Sequence, residues 1–175
     1  MKKTIWLWCL FGFAFTVFSG TVLHFLYDWL GEPMWIAPFS AVNESTFEHM
    51  KLIFWPMFIF GIFESFFFRE TPSFWCVKLY GILIGFSLIP VLFYTYNGVI
   101  GKSPDFINIA IFFVSAAVAY LYEWHALKSR EKGCKFPNLA LEAILIIAIL
   151  FIVFTFNPPR LGIFRDPITS TYGIS

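Results

Sequence analysis

Apolar runs of about 20 residues recur five times along this chain, and they constrain its fold more than any other feature. A helix of that length crosses the ~30 Å hydrocarbon core of a bilayer at a rise of ~1.5 Å per residue. Only 13% of the 175 residues are charged, against about a quarter in ordinary soluble domains. The pattern predicts an all-α membrane protein, a bundle of five transmembrane helices.

The chain divides into a membrane domain and a tail. Residues 1–156 are predicted to form the five-helix transmembrane domain, with spans at residues 4–30, 46–68, 74–96, 106–127 and 138–156. Pro158 and Pro159 end the fifth helix, so residues 157–175 are expected to pack on the outer face of the bundle. The first run is preceded by two lysines like a signal peptide, but it is long enough to be an uncleaved first helix.

The positions of Lys and Arg predict the orientation, because short loops rich in these residues stay in the cytoplasm. A cytoplasmic amino terminus puts eight of the twelve on the cytoplasmic side: Lys2, Lys3, Arg69, Lys78, Lys128, Arg130, Lys132 and Lys135. The other four then lie outside: Lys51, Lys102, Arg160 and Arg165. Five spans place the carboxyl terminus outside as well.

Charge and cysteine content exclude several classes of protein. The net charge is +1 and no long basic run offers a surface for phosphates, so we expect membrane lipids as partners and no nucleic acid. Cys9, Cys76 and Cys134 are odd in number and have neither CxxC nor zinc-ribbon spacing. We therefore expect them to be reduced and to act as small apolar residues. Nothing in the sequence indicates the oligomeric state.

A polar group near the outer end of the first span begins the candidate site. His24 and Asp28 are four residues apart, so their side chains share one face of the helix. An Asp in that position can orient the His ring by accepting its N–H, or both side chains can bind a metal ion. The alternative is a hydrogen bond that only stabilises the helix end.

Residues 40–51 (SAVNESTFEHMK) form the densest polar block of the chain. Ser45 and Glu48 have capping-box spacing, which predicts that Ser45 caps the second helix and that the Glu48 side chain returns to the Ser45 backbone N–H. Glu44 and Glu48 bracket the start of that helix, where the helix dipole favours anions, and His49 follows directly. Ionisable groups this close to hydrocarbon indicate function, because their burial is costly.

The predicted topology brings the polar groups of the outer side to one membrane level. We predict His24, Asp28, Glu44 and His49 as metal ligands, zinc being the matching ion, with His24, Asp28 and His49 also as candidate catalytic groups. A further set is predicted to bind substrate or solute: Asn43, Glu44, Glu48, Lys51, Arg160 and Asp166.

A second polar group lies near the cytoplasmic ends of the later spans. It contains Glu64, Lys78, Glu123, His125 and Glu142. Most of these residues lie within a few turns of a basic residue, so ion pairing and snorkelling account for most of the group. Its role is left open.

Three segments carry a resemblance that spans nearly the whole chain, namely residues 23–29 (LHFLYDW), 40–51 and 166–174 (DPITSTYGI). In them the chain resembles a family of small bacterial membrane proteins of unknown function. This implies a multi-pass protein of the bacterial cytoplasmic membrane but no activity. A looser likeness is to alkaline-ceramidase-type membrane hydrolases, which hold zinc with His, Asp and Ser. That group has seven spans and a paired HxxxH on a late helix, which this chain lacks.

Three classes of function fit these observations. The first is a metal-dependent hydrolase acting on a lipid or lipid-linked substrate at the outer leaflet, since two His and a carboxylate leave zinc an open position for water. The second is a protein that binds or transports an ion or small solute. The third is an accessory membrane subunit without catalysis. The chain has no GxSxG nucleophile motif and no Gly-rich phosphate loop.

Overall fold

The fold is all-helical throughout the part of the chain that the structure, a computed structural model, describes: residues 2–101, 104–129 and 134–174. Its helices are α1 (Lys2–Trp29), α2 (Thr46–Ser65), α3 (Phe74–Ile100), α4 (Asp105–Ser129), α5 (Pro137–Phe156) and a short 3-10 helix, η1 (Gly162–Phe164). Within these ranges there is no strand, and one isolated bridge joins Arg165 to Tyr172. The prediction of an all-α chain with five long helices is confirmed for these residues.

Four of the five helices, α1, α3, α4 and α5, are long and apolar enough to cross a membrane. The exception is α2, which carries Glu48, Lys51 and Glu64. Fourteen of its 20 residues are buried, because α2 lies between α1 and α3 and also contacts α4, α5 and η1. Polar residues are therefore tolerated in α2, since the other helices shield them from the surroundings.

Helices α1 to α4 pack in a ring. Helix α1 packs against α2 and α4, α3 packs against the same two helices, and α5 lies outside the ring on α3 and α2.

Small residues on α1 let the helices approach closely. Gly12, Thr16 and Gly20 repeat every four residues on one face of α1, the small-residue spacing of close helix contacts in membranes. A Cβ on Gly20 would lie 2.6 Å from the carbonyl oxygen of Leu52, so only Gly permits this crossing.

Two helix ends differ from the predicted spans by three or more residues. α2 ends at Ser65 and not at residue 68, because the backbone N–H groups of Phe67 and Phe68 both donate to the Glu64 carbonyl and close a turn. α3 continues beyond residue 96 to Ile100, and it ends at Gly101, whose φ of 98° is open mainly to glycine. The sequence Asn97-Gly98 looks like a turn but remains helical.

A disulfide joins Cys76 at the start of α3 to Cys134 just before α5, with a Cα–Cα distance of 6.1 Å. The prediction that all three cysteines are reduced is therefore wrong for these two, while Cys9 is free and buried. The two cysteines are 58 residues apart in sequence. Spacing rules detect local motifs, whereas this pair is created by the packing of the start of α3 beside the residue Cys134 before α5.

The connection between α1 and α2 folds inward at the same end of the bundle as the predicted site. Ile36, Ala37 and Ser40 are buried. Two side chains of α2 hold its backbone: Lys51 Nζ donates to the Ala37 carbonyl at 2.9 Å, and Trp55 Nε1 donates to the Pro38 carbonyl at 2.8 Å. Such anchoring converts an apolar loop into a fixed part of the bundle.

The tail after α5 packs back onto the same end. Phe164 of η1 is buried against Phe47 and Phe154, with ring centroids 4.5 and 5.5 Å away. Asn43 donates from Nδ2 to the carbonyl of Gly173 at 2.9 Å. The tail therefore braces the polar block of residues 40–51.

Candidate functional site

A serine hydroxyl ties the polar block to α1 one residue before His24. Ser40, which is fully buried, donates from Oγ to the Leu23 carbonyl and accepts the backbone N–H of Tyr27 at 3.0 Å. Leu23 and Tyr27 are four residues apart, the partners of one helical hydrogen bond, so the hydroxyl is inserted into the hydrogen-bond ladder of α1. This contact fixes residues 40–44 beside the face that carries His24.

The start of α2 is fixed by two further polar contacts. Ser45 is the N-cap of α2, and its Oγ accepts the backbone N–H of Glu48 at 3.4 Å. The backbone N–H of Ser45 in turn donates to Asn43 Oδ1 at 2.9 Å. Glu44 lies between these two anchored residues, so its backbone position is determined while its side chain stays free to face His24 and His49.

His24, Glu44 and His49 come together from α1, the connection and α2. His24 Nε2 lies 3.8 Å from Glu44 Oε1, and His49 Nε2 lies 3.5 Å from Glu44 Oε2. One ligand atom from each residue lies within 4.8 Å of the others. The side chains of the two histidines are 26% exposed and that of Glu44 is 44% exposed, so the cluster is open on one side.

A hydrogen bond selects the tautomer of His49. Its Nδ1 lies 2.9 Å from the carbonyl oxygen of Ser45, which can only accept, so Nδ1 carries the proton. In the neutral ring the lone pair is then on Nε2, the atom that faces Glu44. A backbone carbonyl that orients a histidine in this way is a common supporting contact for a metal ligand.

The charges of the cluster favour a bound cation over two protonated histidines. The ring centroids of His24 and His49 are 5.3 Å apart, so two imidazolium ions would repel each other across one carboxylate. Neutral rings present lone pairs, and together with Glu44 they offer two nitrogens and a carboxylate oxygen. That is a set of ligands that zinc and similar divalent ions accept.

The other predicted ligand, Asp28, lies outside this group. Asp28 is exposed, and the Nδ1 atom of His24 is buried with no hydrogen-bond partner among the described residues. The orienting contact expected from the four-residue spacing is therefore not formed. Arg160 is also exposed, and no ion pair to it occurs in the described ranges.

The remaining predicted binding residues have structural contacts. Asp166 is buried and closes a turn, accepting the backbone N–H of Ile168 at 2.7 Å and the hydroxyl of Thr169 at 2.8 Å. Asn43 joins the tail to the helix cap, as described above. These contacts position the block and the tail, and they use the polar atoms that a ligand would need.

Glu48 and Lys51 form a buried pair next to the cluster. Their charged atoms are 2.5 Å apart, and Lys51 Nζ also donates to Thr155 Oγ1 at 3.1 Å. The predicted return of Glu48 to the Ser45 N–H is wrong, because Glu48 Oε2 instead accepts the backbone N–H of Val42 at 3.0 Å. Asn43 takes the place of Glu48 as the acceptor for the Ser45 N–H.

The second polar group separates into buried and exposed members. Lys78 lies against both Glu64 and Glu123, and all three are buried. His125 and Glu142 are exposed. The predicted ion pairing is therefore present, whereas Lys78 does not snorkel, because its ammonium group is held between two helices at 1% exposure.

The described part of the chain has four helices long and apolar enough to cross a membrane, as in a multi-pass membrane protein, and three side chains that could hold a metal ion meet at one end. The chain belongs to DUF6512, a family of unknown function, whose model matches residues 1–174. No curated protein and no solved structure matches the chain. Membership of this family assigns no activity.

Proposed function

We propose that the protein binds a divalent metal ion, zinc in the first place, through His24 Nε2, His49 Nε2 and a carboxylate oxygen of Glu44. The observation that carries the proposal is the meeting of these three groups within 4.8 Å. Ligands around tetrahedral zinc, with bonds of ~2.0–2.1 Å, are about 3.4 Å apart. The two His–Glu distances, 3.8 Å from His24 to Oε1 and 3.5 Å from His49 to Oε2, are close to that value, and a rotation of the Glu44 carboxylate would bring one oxygen towards both rings.

Three protein ligands leave a fourth position for water, as in catalytic zinc sites. Zinc lowers the pKa of a bound water to about 7 and polarises a carbonyl or phosphoryl oxygen. The open side of the cluster, where Glu44 is exposed, gives a substrate access to that position. This chemistry supports a metal-dependent hydrolase that acts at the membrane surface.

The surroundings of the site favour a lipid or lipid-linked substrate. Trp29, Leu30, Met34 and Trp35 follow His24 in the chain and are large, apolar and exposed. Exposed tryptophans at a helix end are typical of the headgroup layer of a membrane. A substrate held in that layer would reach the cluster without leaving the membrane.

Zinc analysis tests the metal site. We expect protein purified without a metal-chelating tag to carry one zinc ion per chain, and His24→Ala and His49→Ala each to reduce that content at least tenfold. His125→Ala is the matched control, because His125 is exposed on α4 outside the cluster. Asp28→Asn should also keep the metal; loss in this variant would make Asp28 a ligand and our ligand set wrong.

Product analysis tests hydrolysis separately from metal binding. Vesicles of phosphatidylethanolamine and phosphatidylglycerol, incubated with the zinc-loaded protein, should yield cleaved lipid by mass spectrometry, and His49→Ala should not. Zinc binding without any product from these vesicles or from native membrane lipids would contradict the hydrolase and leave an ion-binding protein.

We also propose that α2 is a fifth membrane crossing and that the metal site faces outward from a bacterial cytoplasmic membrane. Lys51 and Lys78 are buried in ion pairs and do not act as loop charges, yet the remaining Lys and Arg still divide seven to three in favour of a cytoplasmic amino terminus. Among the charged residues in that count, Lys102, Arg130 and Lys132 lie outside the described residues.

Cysteine labelling in whole cells tests this orientation. A cysteine at Ile168, exposed in the tail, should react with a membrane-impermeant maleimide, while one at Lys135, exposed before α5, should react only after lysis. In this orientation the Cys76–Cys134 disulfide lies on the cytoplasmic side, where disulfides are rare, so the disulfide counts against the orientation and the labelling decides between the two. Labelling of position 135 from outside would reverse the topology and place the disulfide in an oxidising compartment.

A further inference from the structure

Lys78, Glu64 and Glu123 form a second cluster, at the opposite end of α2 from the metal site. Glu64 is 15 residues beyond His49, or roughly 22 Å along the helix. Lys78 Nζ lies against Glu64 Oε2 and donates to Glu123 Oε2 at 2.7 Å. The three residues belong to α2, α3 and α4 and are each at most 1% exposed.

The charges of this triad do not balance when every member is ionised. Two carboxylates and one ammonium group sum to a charge of −1 in a site closed to water. The outer oxygen atoms, Glu64 Oε1 and Glu123 Oε1, are buried and have no hydrogen-bond partner among the described residues. An uncompensated buried carboxylate costs several kcal/mol at least, so the triad requires one more positive charge.

The groups around the triad do not supply that charge. Tyr120 and Thr16 hydrogen-bond to each other at 2.9 Å, and the aromatic ring of Tyr120 faces Lys78 Nζ at 5.4 Å. The thiol of Cys9 on α1, buried beside these charges, is neutral or negative but never positive. Glu142, the one ionisable residue of α5, is exposed.

Packing beside Glu123 leaves no room for a hydrated cation. Gly81 closes against the carboxyl group of Glu123, so that a Cβ there would lie 2.7 Å from Glu123 Cγ and closer still to Oε1. A hydrated cation is larger than a methyl group and does not fit at that contact. A proton on a free carboxylate oxygen occupies no additional space and removes the excess charge.

We propose that the triad is a proton-binding site, in which Glu64 and Glu123 share one proton taken from water while Lys78 stays charged. The proton resides on Oε1 of either glutamate, and the other carboxylate remains ionised and paired with Lys78. The site does not depend on the metal centre, because it shares no residue with it.

Infrared spectroscopy of the full-length protein tests this proposal. The protein is studied near pH 7 in a maltoside detergent, which has no carbonyl group, with and without ¹³C-carboxyl glutamate. We expect a carbonyl band equivalent to one protonated carboxylic acid per chain, and this band should shift on labelling. Absence of such a band in the wild-type protein would overturn the proposal without any variant.

Three variants assign the band. Glu64→Gln and Glu123→Gln each leave one carboxylate for one ammonium group, so both charges persist and the band should disappear. Glu70→Gln, at an exposed position, should keep it. Lys78→Met removes the cation of the triad, so both carboxyl groups should be protonated and the band should double. If either of the two Gln variants keeps the full band, the proposal of a shared proton is contradicted. Circular dichroism confirms that each variant compared is folded.

Discussion

The two ionisable clusters of this bundle differ more in burial than in chemistry. The cluster of His24, Glu44 and His49 has side chains that are 26–44% exposed, whereas those of Lys78, Glu64 and Glu123 are at most 1% exposed. Both contain carboxylates next to nitrogen bases. An open cluster can exchange ligands with the solvent or the lipid surface, but a closed one must satisfy its charges internally or with a proton.

The neighbouring pair of Glu48 and Lys51 sharpens this comparison. Glu48 has a lysine and a backbone N–H as partners, so its charge is already satisfied. The ion-pair partners of Glu44 within the described ranges are two histidines. Of these two carboxylates, Glu44 is thus the one that remains available to an added cation.

The largest effect should come from the closed cluster. Lys78→Met breaks two buried ion pairs and forces both carboxyl groups to take up a proton, so we expect the free energy of unfolding to fall by about 3–5 kcal/mol. Lys135→Ala, at an exposed position, should change it by less than about 0.5 kcal/mol. Unfolding in mixed micelles measures both. If Lys78→Met were as stable as Lys135→Ala, the buried ion pairs of the closed cluster would not stabilise the fold, and the comparison of the two clusters would fail.

A smaller effect is expected from the packing around that cluster. Gly81→Ala forces a Cβ into the Glu123 side chain, whereas a Cβ at Gly61 would lie 3.5 Å from Lys78 Cδ, an ordinary contact. We expect Gly81→Ala to cost about 1–3 kcal/mol and Gly61→Ala to be nearly neutral. Thermal unfolding of the pair provides the measurement, and the reverse order of stability would contradict the close packing.

The smallest change in stability should come from the scaffold of the open cluster. Ser40→Ala removes the hydroxyl between Leu23 and Tyr27, but the helical hydrogen bond of α1 can re-form, so the cost should be about 1 kcal/mol. Its effect on zinc affinity should be larger than on stability, because Glu44 loses its fixed position relative to His24. The control is Ser65→Ala, because the exposed Ser65 hydroxyl donates to the Ile62 carbonyl and should not affect zinc affinity. An equal loss of zinc affinity in Ser65→Ala would argue against a specific role for the Ser40 hydroxyl between Leu23 and Tyr27.

The sequence predicted the helices better than their roles. Apolar runs and the prolines after Phe156 are local signals, so all five helices were predicted. The errors are a few residues long and fall at helix ends that depend on turns, such as the turn at Glu64. The exceptional burial of α2 is a property of packing. This helix was predicted as the second of five spans, and in the bundle its polar residues Lys51 and Glu64 have partners from other helices.

The candidate site was predictable by residue type but not by grouping. His24 and His49 are 25 positions apart, and the bridge from Ser40 to α1 that brings them together has no spacing signature. Asp28, four residues from His24, has the better local spacing yet is exposed and outside the cluster. Asn43 and Glu48 were plausible ligands until the structure placed their polar atoms in the cap and the buried pair. The Cys76–Cys134 bond was missed for the same reason.

X-ray absorption at the zinc edge of the purified, zinc-loaded protein tests the central claim most directly. The account predicts two imidazole nitrogens at ~2.0–2.1 Å and oxygen ligands at ~2.0–2.2 Å, without a thiolate at ~2.3 Å. The imidazole scattering should halve in His24→Ala or His49→Ala protein that is loaded with excess zinc, and it should be unchanged in His125→Ala. A protein that takes up no zinc, or zinc bound without imidazole, would contradict the metal site formed by His24, Glu44 and His49.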